Sequence, residues 1–119
     1  MEKVQLLTIG REPVLLQKLS RFINENPKWE STATVNDEAA IELFHQRKYD
    51  FVLFIDTIQQ ESENKLRKVF TFYDADINFI QHHGDETGLL ASEIQDALDK
   101  RNYLRNKIID NVFKPGDDE

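Results

Sequence analysis

The residues of this chain that have the chemistry to bind a ligand lie in three short stretches, each of which follows an apolar run. The stretches are Gly10-Arg11-Glu12, Asp56-Thr57 and the polar segment from Gln81 to Gly88. In an open sheet of parallel strands, ligands bind beyond the carboxyl ends of the strands. We therefore expect a candidate ligand-binding site at that edge, formed by Arg11, Glu12, Asp56, His82, His83, Gly84, Thr87 and Gly88.

The last of these stretches has some features of an anion-binding loop. Gly84 and Gly88 let the backbone approach a ligand, and the N–H groups that open a following helix favour negative charge. Arg11 would add a cation, whereas Asp85 would repel an anion. The glycine spacing matches neither a Walker loop nor a dinucleotide fingerprint. A plain turn into a helix capped by Thr87 is therefore the simpler interpretation, and anion binding is the alternative.

The adjacent histidines of the same stretch are possible metal ligands. Successive residues of a strand point to opposite faces, so His82 and His83 do not bind one ion unless the backbone is irregular. One of them could join Glu12, Asp56 or Asp85 in a mixed site. A hydrogen-bonded loop histidine is the simpler interpretation, so no metal is predicted.

No set of residues for covalent catalysis or for a cofactor is recognisable. The chain has no cysteine, which excludes thiol nucleophiles, thiolate zinc sites and disulfides. No serine lies in a Gly-X-Ser-X-Gly elbow, so acyl transfer has no support either. We predict no catalytic residue and no cofactor.

Length and charge limit the organisation of the chain and its partners. A chain of 119 residues suits a single domain, which we place at residues 1–113, with a disordered acidic tail over residues 114–119. The net charge of -7 opposes binding to nucleic acids and anionic membrane surfaces. No apolar stretch is long enough to span a bilayer and no secretory signal pattern opens the chain, so a cytoplasmic protein is expected.

The elements that must position the three polar stretches alternate between strand and helix patterns. The run from Phe51 to Ile55 is apolar on both faces, which is typical of a central strand covered by helices on both sides. Weaker strand patterns cover residues 3–9, 29–35 and 77–81, and the polar face of 29–35 predicts an edge strand. Apolar residues at helical spacing follow each strand, although residues 57–64 are interpreted as a polar loop before the third helix.

This alternation implies right-handed crossovers between parallel strands. The predicted fold class is α/β, a three-layer doubly wound sheet of about four parallel strands with helices on both faces. A long C-terminal helix is expected over about residues 88–113.

Two motifs make the first two thirds of the chain resemble a response-regulator receiver domain of the CheY-like, flavodoxin-like type. The first is the apolar strand followed by Gly10-Arg11-Glu12-Pro13, and the second is Tyr49-Asp50 followed by an apolar run. Glu12 and Pro13 match the receiver pattern, whereas Gly10 and Arg11 stand where paired aspartates bind magnesium. Counting on from Asp50 places Ile55 at the phospho-acceptor position.

The resemblance therefore implies a degenerate receiver that does not take phosphate at an aspartate. Asp56 lies one residue too late, and a shift of one residue on a strand turns a side chain to the other face. Arg11 opposes the divalent cation that phosphoryl transfer requires. We expect a non-catalytic signalling or regulatory module that acts through dimerisation or partner binding. The alternative is a small-ligand, anion or nucleotide-binding protein that uses the three polar stretches.

The sequence also indicates association. No fifth strand is recognisable, which would leave the strand at residues 77–81 with an unpaired edge. The C-terminal helix has more apolar residues than one sheet face can bury, which favours a homodimer or another protein partner. The predicted interface residues are Tyr103, Leu104, Ile108, Ile109 and Val112. The alternative is a helix that breaks near residues 100–102 and folds back over its own edge strand.

Overall fold

A computed structural model describes residues 2–113, with side chains as far as Lys107, so the predicted tail at residues 114–119 lies outside the described residues. Strands and helices alternate throughout. The strands are β1 Val4–Ile9, β2 Trp29–Thr34, β3 Phe51–Ile55 and β4 Asn78–His82. The helices are α1 Pro13–Glu25, α2 Asp37–Gln46, α3 Gln60–Tyr73 and α4 Thr87–Phe113. The chain divides into a sheet unit, residues 1–87, and a helical unit that begins at Gly88.

The four strands form one parallel sheet in the order β2-β1-β3-β4. The predicted α/β class is therefore confirmed, and β2 lies at an edge as its polar face indicated. All five residues of β3 are buried, because this strand has a neighbour on each side and helices cover its sheet. β4 forms the other edge, and no fifth strand occurs within residues 2–113.

The two faces of the sheet unit are covered by different helices. Side chains from β1 and β3 pack with α2 and α3 in one apolar cluster, which includes Leu7, Val52, Phe54, Phe44 and Phe70. On the opposite face, α1 bonds to β2 through the hydroxyl groups of Ser20 and Ser31, whose oxygens are 2.8 Å apart. The three-layer arrangement predicted from the alternating pattern follows from this division.

The Tyr-Asp pair before β3 connects the central strands. An Asp50 carboxylate oxygen accepts a hydrogen bond from the Gln5 N–H at 2.8 Å, and the Asp50 N–H donates to the Gln5 carbonyl at 2.8 Å. The Tyr49 ring is buried and stacks on Phe44 with 6.2 Å between the ring centroids. This motif of the receiver resemblance thus aligns β3 with β1.

The first two helices begin and end at the expected signals. Pro13 occupies the start of α1, where its missing N–H costs no hydrogen bond. The helix ends at Asn26, which has an extended backbone because Pro27 follows it. At the start of α2, the Asn36 side chain accepts from the Ala39 N–H at 2.8 Å and caps the helix.

Helix α3 begins within the segment that the apolar spacing assigns to a polar loop. That loop is expected over residues 57–64, but the helix starts at Gln60, in agreement with the interpretation of Glu61-Ser62-Glu63 as an acidic helix N-terminus. Glu63 is buried, and both of its carboxylate oxygens have a donor. Arg67 Nε lies at 2.8 Å from one oxygen and Gln81 Nε2 at 2.9 Å from the other. Two donors offset the cost of burying this carboxylate.

The last helix is continuous from Thr87 to Phe113 and has 27 residues. The alternative of a break near residues 100–102 is therefore wrong. Its start lies one residue before the predicted Gly88, within the usual uncertainty of helix ends. None of the helices among the described residues is long and apolar enough to cross a membrane.

A chain of buried hydroxyl groups connects β1, β2 and α1. Thr8 is fully buried, and its Oγ1 lies 2.8 Å from Ser31 Oγ, which is also 2.8 Å from Ser20 Oγ. The Asn24 side chain accepts from the Ser31 N–H at 2.7 Å and donates to the Ser31 carbonyl at 3.3 Å. Ser31, expected on a solvated polar face, is therefore a buried junction of α1 with the sheet.

The substitution Ser31→Ala is expected to lower the free energy of unfolding by about 1–3 kcal/mol, because it removes the hydrogen-bond partner of the buried Thr8 hydroxyl. Urea unfolding should show a lower midpoint with an unchanged slope. The control Ser20→Ala removes only the half-buried end of the chain and should cost less. Adding Thr8→Val to Ser31→Ala should recover part of the loss, whereas additive losses would contradict this account.

Candidate functional site

Hydrogen bonds connect the loops that follow β1, β3 and β4 at the carboxyl edge of the sheet. The Arg11 N–H donates to Thr57 Oγ1 at 2.9 Å, and the Gly84 N–H donates to Asp56 Oδ2 at 3.2 Å. The Asp56 N–H in turn donates to the His82 carbonyl at 3.1 Å. The loop after β3 is therefore bonded to both neighbouring loops.

The side chain of Arg11 is held at the start of α2. Its guanidinium donates to the Val35 carbonyl at 2.7 Å and to Asp37 Oδ1 at 2.5 Å. The strand order explains this contact, since β1 lies beside β2 and the loop after β2 ends at α2. Arg11 was expected to add a cation for an anion at the loop after β4. Its guanidinium instead binds the Asp37 carboxylate at the start of α2.

The contact with Asp37 was not anticipated, because an acidic residue in the first turn of a helix is already explained by the helix dipole. Two features could have suggested this contact: the parallel strand order, and a cation at Arg11, where a receiver has an aspartate. Thr57 lies in the second of the three polar stretches, and the sequence predicts no ligand-binding role for it. It accepts the Arg11 N–H and so fixes the loop after β1.

At the position where a receiver would place its phospho-acceptor, the side chain makes an apolar contact. Ile55 is only 1% exposed. A Cβ atom added to Gly10 would lie 3.1 Å from the Ile55 Cβ and 3.4 Å from the Leu16 Cδ1. Gly10 therefore allows β1 and α1 to approach the end of β3, and a side chain at this position would require Ile55 or Leu16 to move by a few tenths of an ångström.

Glu12 makes no comparable contact. It precedes α1 with an extended backbone and makes no side-chain capping bond. Its carbonyl accepts from the Leu16 N–H at 2.9 Å, which starts the helix. The side chain is exposed, so it remains available at this edge.

The Asp56 carboxylate holds the loop after β4. Its side chain is 34% exposed and its Oδ2 lies 3.7 Å from His83 Nδ1, in addition to accepting the Gly84 N–H. Gly84 has a φ of 85°, in the left-handed region that favours glycine. Since β3 ends at Ile55, Asp56 starts the following turn and uses its carboxylate to stabilise the neighbouring turn.

The two histidines lie in different environments. His82 is fully buried in β4, whereas the His83 side chain is 68% exposed. Among the residues that the structure describes, no group of three or more histidines and carboxylates could hold a metal ion. His82 and His83 thus face apart, as the alternation of a strand requires.

The remaining predicted residues lie at the start of α4. Thr87 is the first residue of the helix and not the residue before it, so the expected capping position is taken by Glu86. Gly88 belongs to the helical unit, and a Cβ added there would meet no atom within 4 Å. Neither glycine of this loop is therefore required for close approach of the backbone to another part of its own unit.

Arg11→Ala and Asp37→Asn are each expected to lower the free energy of unfolding by about 1 kcal/mol, since each removes a half-buried, charge-assisted hydrogen bond. The double variant should lose little more than Arg11→Ala alone, because that change already removes the contact with Asp37, together with the bond to the Val35 carbonyl. Thermal and urea unfolding measure this coupling.

The control is Lys18→Ala, whose partner Asp85 is 3.5 Å away with both side chains mostly exposed. This change should have almost no effect, because exposed ion pairs contribute little. Losses at Arg11 and Asp37 that simply add would show that the two side chains act independently.

No protein-family model matches the chain, and the search of curated proteins finds no relative. Among solved structures, the chain is similar to the receiver domain of the hybrid histidine kinase CckA, with a TM-score of 0.57 and 13% sequence identity. The match covers 77% of this chain and 96% of that domain. At this identity the likeness establishes the fold and not the activity. The chain therefore has the receiver fold that its two motifs indicated.

Proposed function

We propose that this chain is a non-catalytic receiver-like module for signalling or regulation, which acts through dimerisation or partner binding and is not phosphorylated at an aspartate. The observation that carries the proposal is the burial of Ile55 against Gly10 at the acceptor position. An aliphatic side chain provides no oxygen for phosphate. Ile55 is only 1% exposed, so apolar atoms fill this position.

The cation side of the chemistry supports the same proposal. Phosphoryl transfer to an aspartate requires a divalent cation held by hard oxygen ligands. Arg11 stands at a position of that ligand set, and its guanidinium already neutralises Asp37. The positive charge of Arg11 at this position opposes the binding of Mg²⁺. The Asp37 carboxylate already binds Arg11, so it is not free to act as a metal ligand.

Asp56 is the other candidate acceptor, and its contacts argue against that role. One of its oxygens accepts from Gly84 and faces His83. Modification at Oδ2 would break this bond, and modification at either oxygen would remove the negative charge that faces His83. The same contact weakens the alternative of an anion-binding or nucleotide-binding protein, because the loop N–H that would bind the anion already has an acceptor.

For the partner we propose a second copy of the chain, joined through the C-terminal half of α4. The Tyr103 side chain is 63% exposed and the Leu104 side chain 47% exposed. Leu104, Ile108 and Val112 recur every four residues and so share a helix face. The side chains of Ile108, Ile109 and Val112 lie outside the described ones, so their part in the interface rests on this spacing. A cytoplasmic location completes the proposal, since a chain without cysteine suits a reducing compartment.

Beryllofluoride with magnesium is expected to leave the protein unmodified, and acetyl phosphate is expected to add no phosphoryl group. Intact-mass spectrometry and ¹⁹F NMR provide the two measurements, with a phosphorylatable receiver domain as the positive control. Asp56→Asn is the matched variant. An adduct that requires magnesium and disappears in Asp56→Asn would refute the non-catalytic proposal.

Sedimentation velocity at increasing concentration is expected to give a dimer for the intact chain. Combining Leu104→Glu with Ile108→Glu should give a monomer of unchanged circular dichroism, because two carboxylates are then placed in an apolar interface. Asn106→Glu adds a charge to the same helix away from that face and should leave the dimer intact. A monomeric intact chain would exclude this form of association.

A further inference from the structure

The outer edge of β4 presents unused backbone groups. The Asp56 N–H bonds to the His82 carbonyl, so the backbone of His82 faces β3. Backbone groups of a strand alternate in direction, so those of Phe79 and Gln81 face away from β3. Within residues 2–113, no hydrogen bond is made to these outward N–H and carbonyl groups. This edge thus has two donors and two acceptors in the geometry of an unfilled sheet.

The opposite edge of the same sheet is closed by the protein itself. The backbone of Trp29, Ser31 and Ala33 faces outward from β2. Trp29 donates its N–H to the Asn26 carbonyl at 3.1 Å. The amide of Asn24 bonds to both the N–H and the carbonyl of Ser31, as a neighbouring strand would. In the described part of the chain, the Trp29 carbonyl and the backbone of Ala33 are left outward on either side of the bonded Ser31, so β2 presents no two consecutive outward residues with both groups unbonded.

In the described part of the chain, no hydrogen bonds of this kind close the outer edge of β4. Natural edge strands are blocked by proline, by charged side chains or by bulges. β4 has no proline and no lysine, arginine or carboxylate within Asn78–His82, and its pairing with β3 runs through all five residues without a bulge. Ser31 at the centre of the β2 edge is bonded within the protein, whereas the outward residues of β4 are not. This contrast favours β4 as the edge that binds another strand.

Charge at the two ends of β4 favours a basic partner. Asp76 precedes the strand and Asp85 and Glu86 follow it; all three are exposed, and of these Asp85 has Lys18 Nζ at 3.5 Å. The whole chain carries a net charge of -7. A second copy paired antiparallel would bring the acidic start of one β4 close to the acidic end of the other, which costs free energy. An extended segment with lysine or arginine at its ends meets opposite charge at both ends instead.

The side chains beside the edge determine the middle of that segment. On the α3 face, the Phe79 ring lies under the guanidinium of Arg67, whose carbon is 4.8 Å from the ring centroid. The Gln81 side chain on the same face is bonded to Glu63. An added strand would place every second side chain on this face, and the one opposite Phe79 would lie next to its ring, where an apolar residue fits best.

We propose that the edge of β4 binds an extended segment of a partner protein, apolar at alternate positions and basic at both ends, as a fifth strand of the sheet. This deepens the partner-binding role of the proposed function and rests on it, but it involves neither α4 nor the phosphorylation chemistry. Its main-chain hydrogen bonds would provide affinity, and the alternating side chains would provide specificity.

The probe is a pooled set of synthetic peptides of about nine residues, which is the length of a long strand. Each peptide has lysine at both ends, with valine alternating with threonine between them. Amide hydrogen exchange of the intact protein measures the result. The peptides should slow exchange at Phe79 and Gln81 by about tenfold or more, while Ala33 on the opposite edge stays unchanged.

Gln81→Pro and Gln81→Ala are the matched variants. Both lose the side chain, but only proline removes the outward N–H, and proline is tolerated where that group faces solvent. Binding should be at least about tenfold weaker in Gln81→Pro than in Gln81→Ala. If Gln81→Pro fails to fold, peptides N-methylated at alternate positions replace it, and one of the two N-methyl patterns should abolish binding.

Peptides with glutamate at both ends should bind about tenfold more weakly than the lysine peptides or not at all. Equal binding of the two sets would overturn the assignment of a basic partner. A pooled set that protects neither amide would overturn the proposal as a whole. Concentration-dependent protection of Phe79 and Gln81 without peptide would overturn it in favour of a second copy. A positive beryllofluoride result would instead refute the proposed function and leave the edge contacts unaffected.

Discussion

The structure depends on the burial of β3 on both faces and along both edges. Five consecutive apolar residues without a polar alternate leave no face for solvent, so helices must cover both sides of the sheet. The strand also needs backbone partners on each side, which β1 and β4 provide. At its end, Gly10 lets Ile55 pack closely against the first strand and helix. The same packing fills the end of β3 with apolar side chains.

The carboxyl edge of the sheet, where open α/β folds place their chemistry, is occupied here by structural contacts. Arg11 is bonded to Asp37 and the Val35 carbonyl, and Asp56 is bonded to the turn after β4. Buried or half-buried charges that already have partners offer little to a ligand, because binding would have to replace those bonds. The polar residues of this edge therefore hold loops in place.

The outward backbone groups of the two edge strands, β2 and β4, differ in their hydrogen bonding. At β2 the amide of Asn24 satisfies the backbone of Ser31, and the hydroxyl groups of Thr8 and Ser20 attach the same residue to the interior. At β4 the outward backbone groups of Phe79 and Gln81 meet no protein group in the described part of the chain. The protein thus bonds the central outward residue of β2 and leaves the outward residues of β4 unbonded in the part of the chain that the structure describes.

The sequence by itself determined the elements, because the spacing of apolar residues follows the repeat of a helix or a strand. Only the tertiary structure decided how the polar residues are used. Arg11 meets Asp37 because parallel crossovers bring two distant loops to one edge, and the buried Glu63 in the first turn of α3 bonds to Gln81 of β4. Polar contacts of this kind leave no periodic signal, since each partner is chosen by the fold and not by its neighbours in the chain.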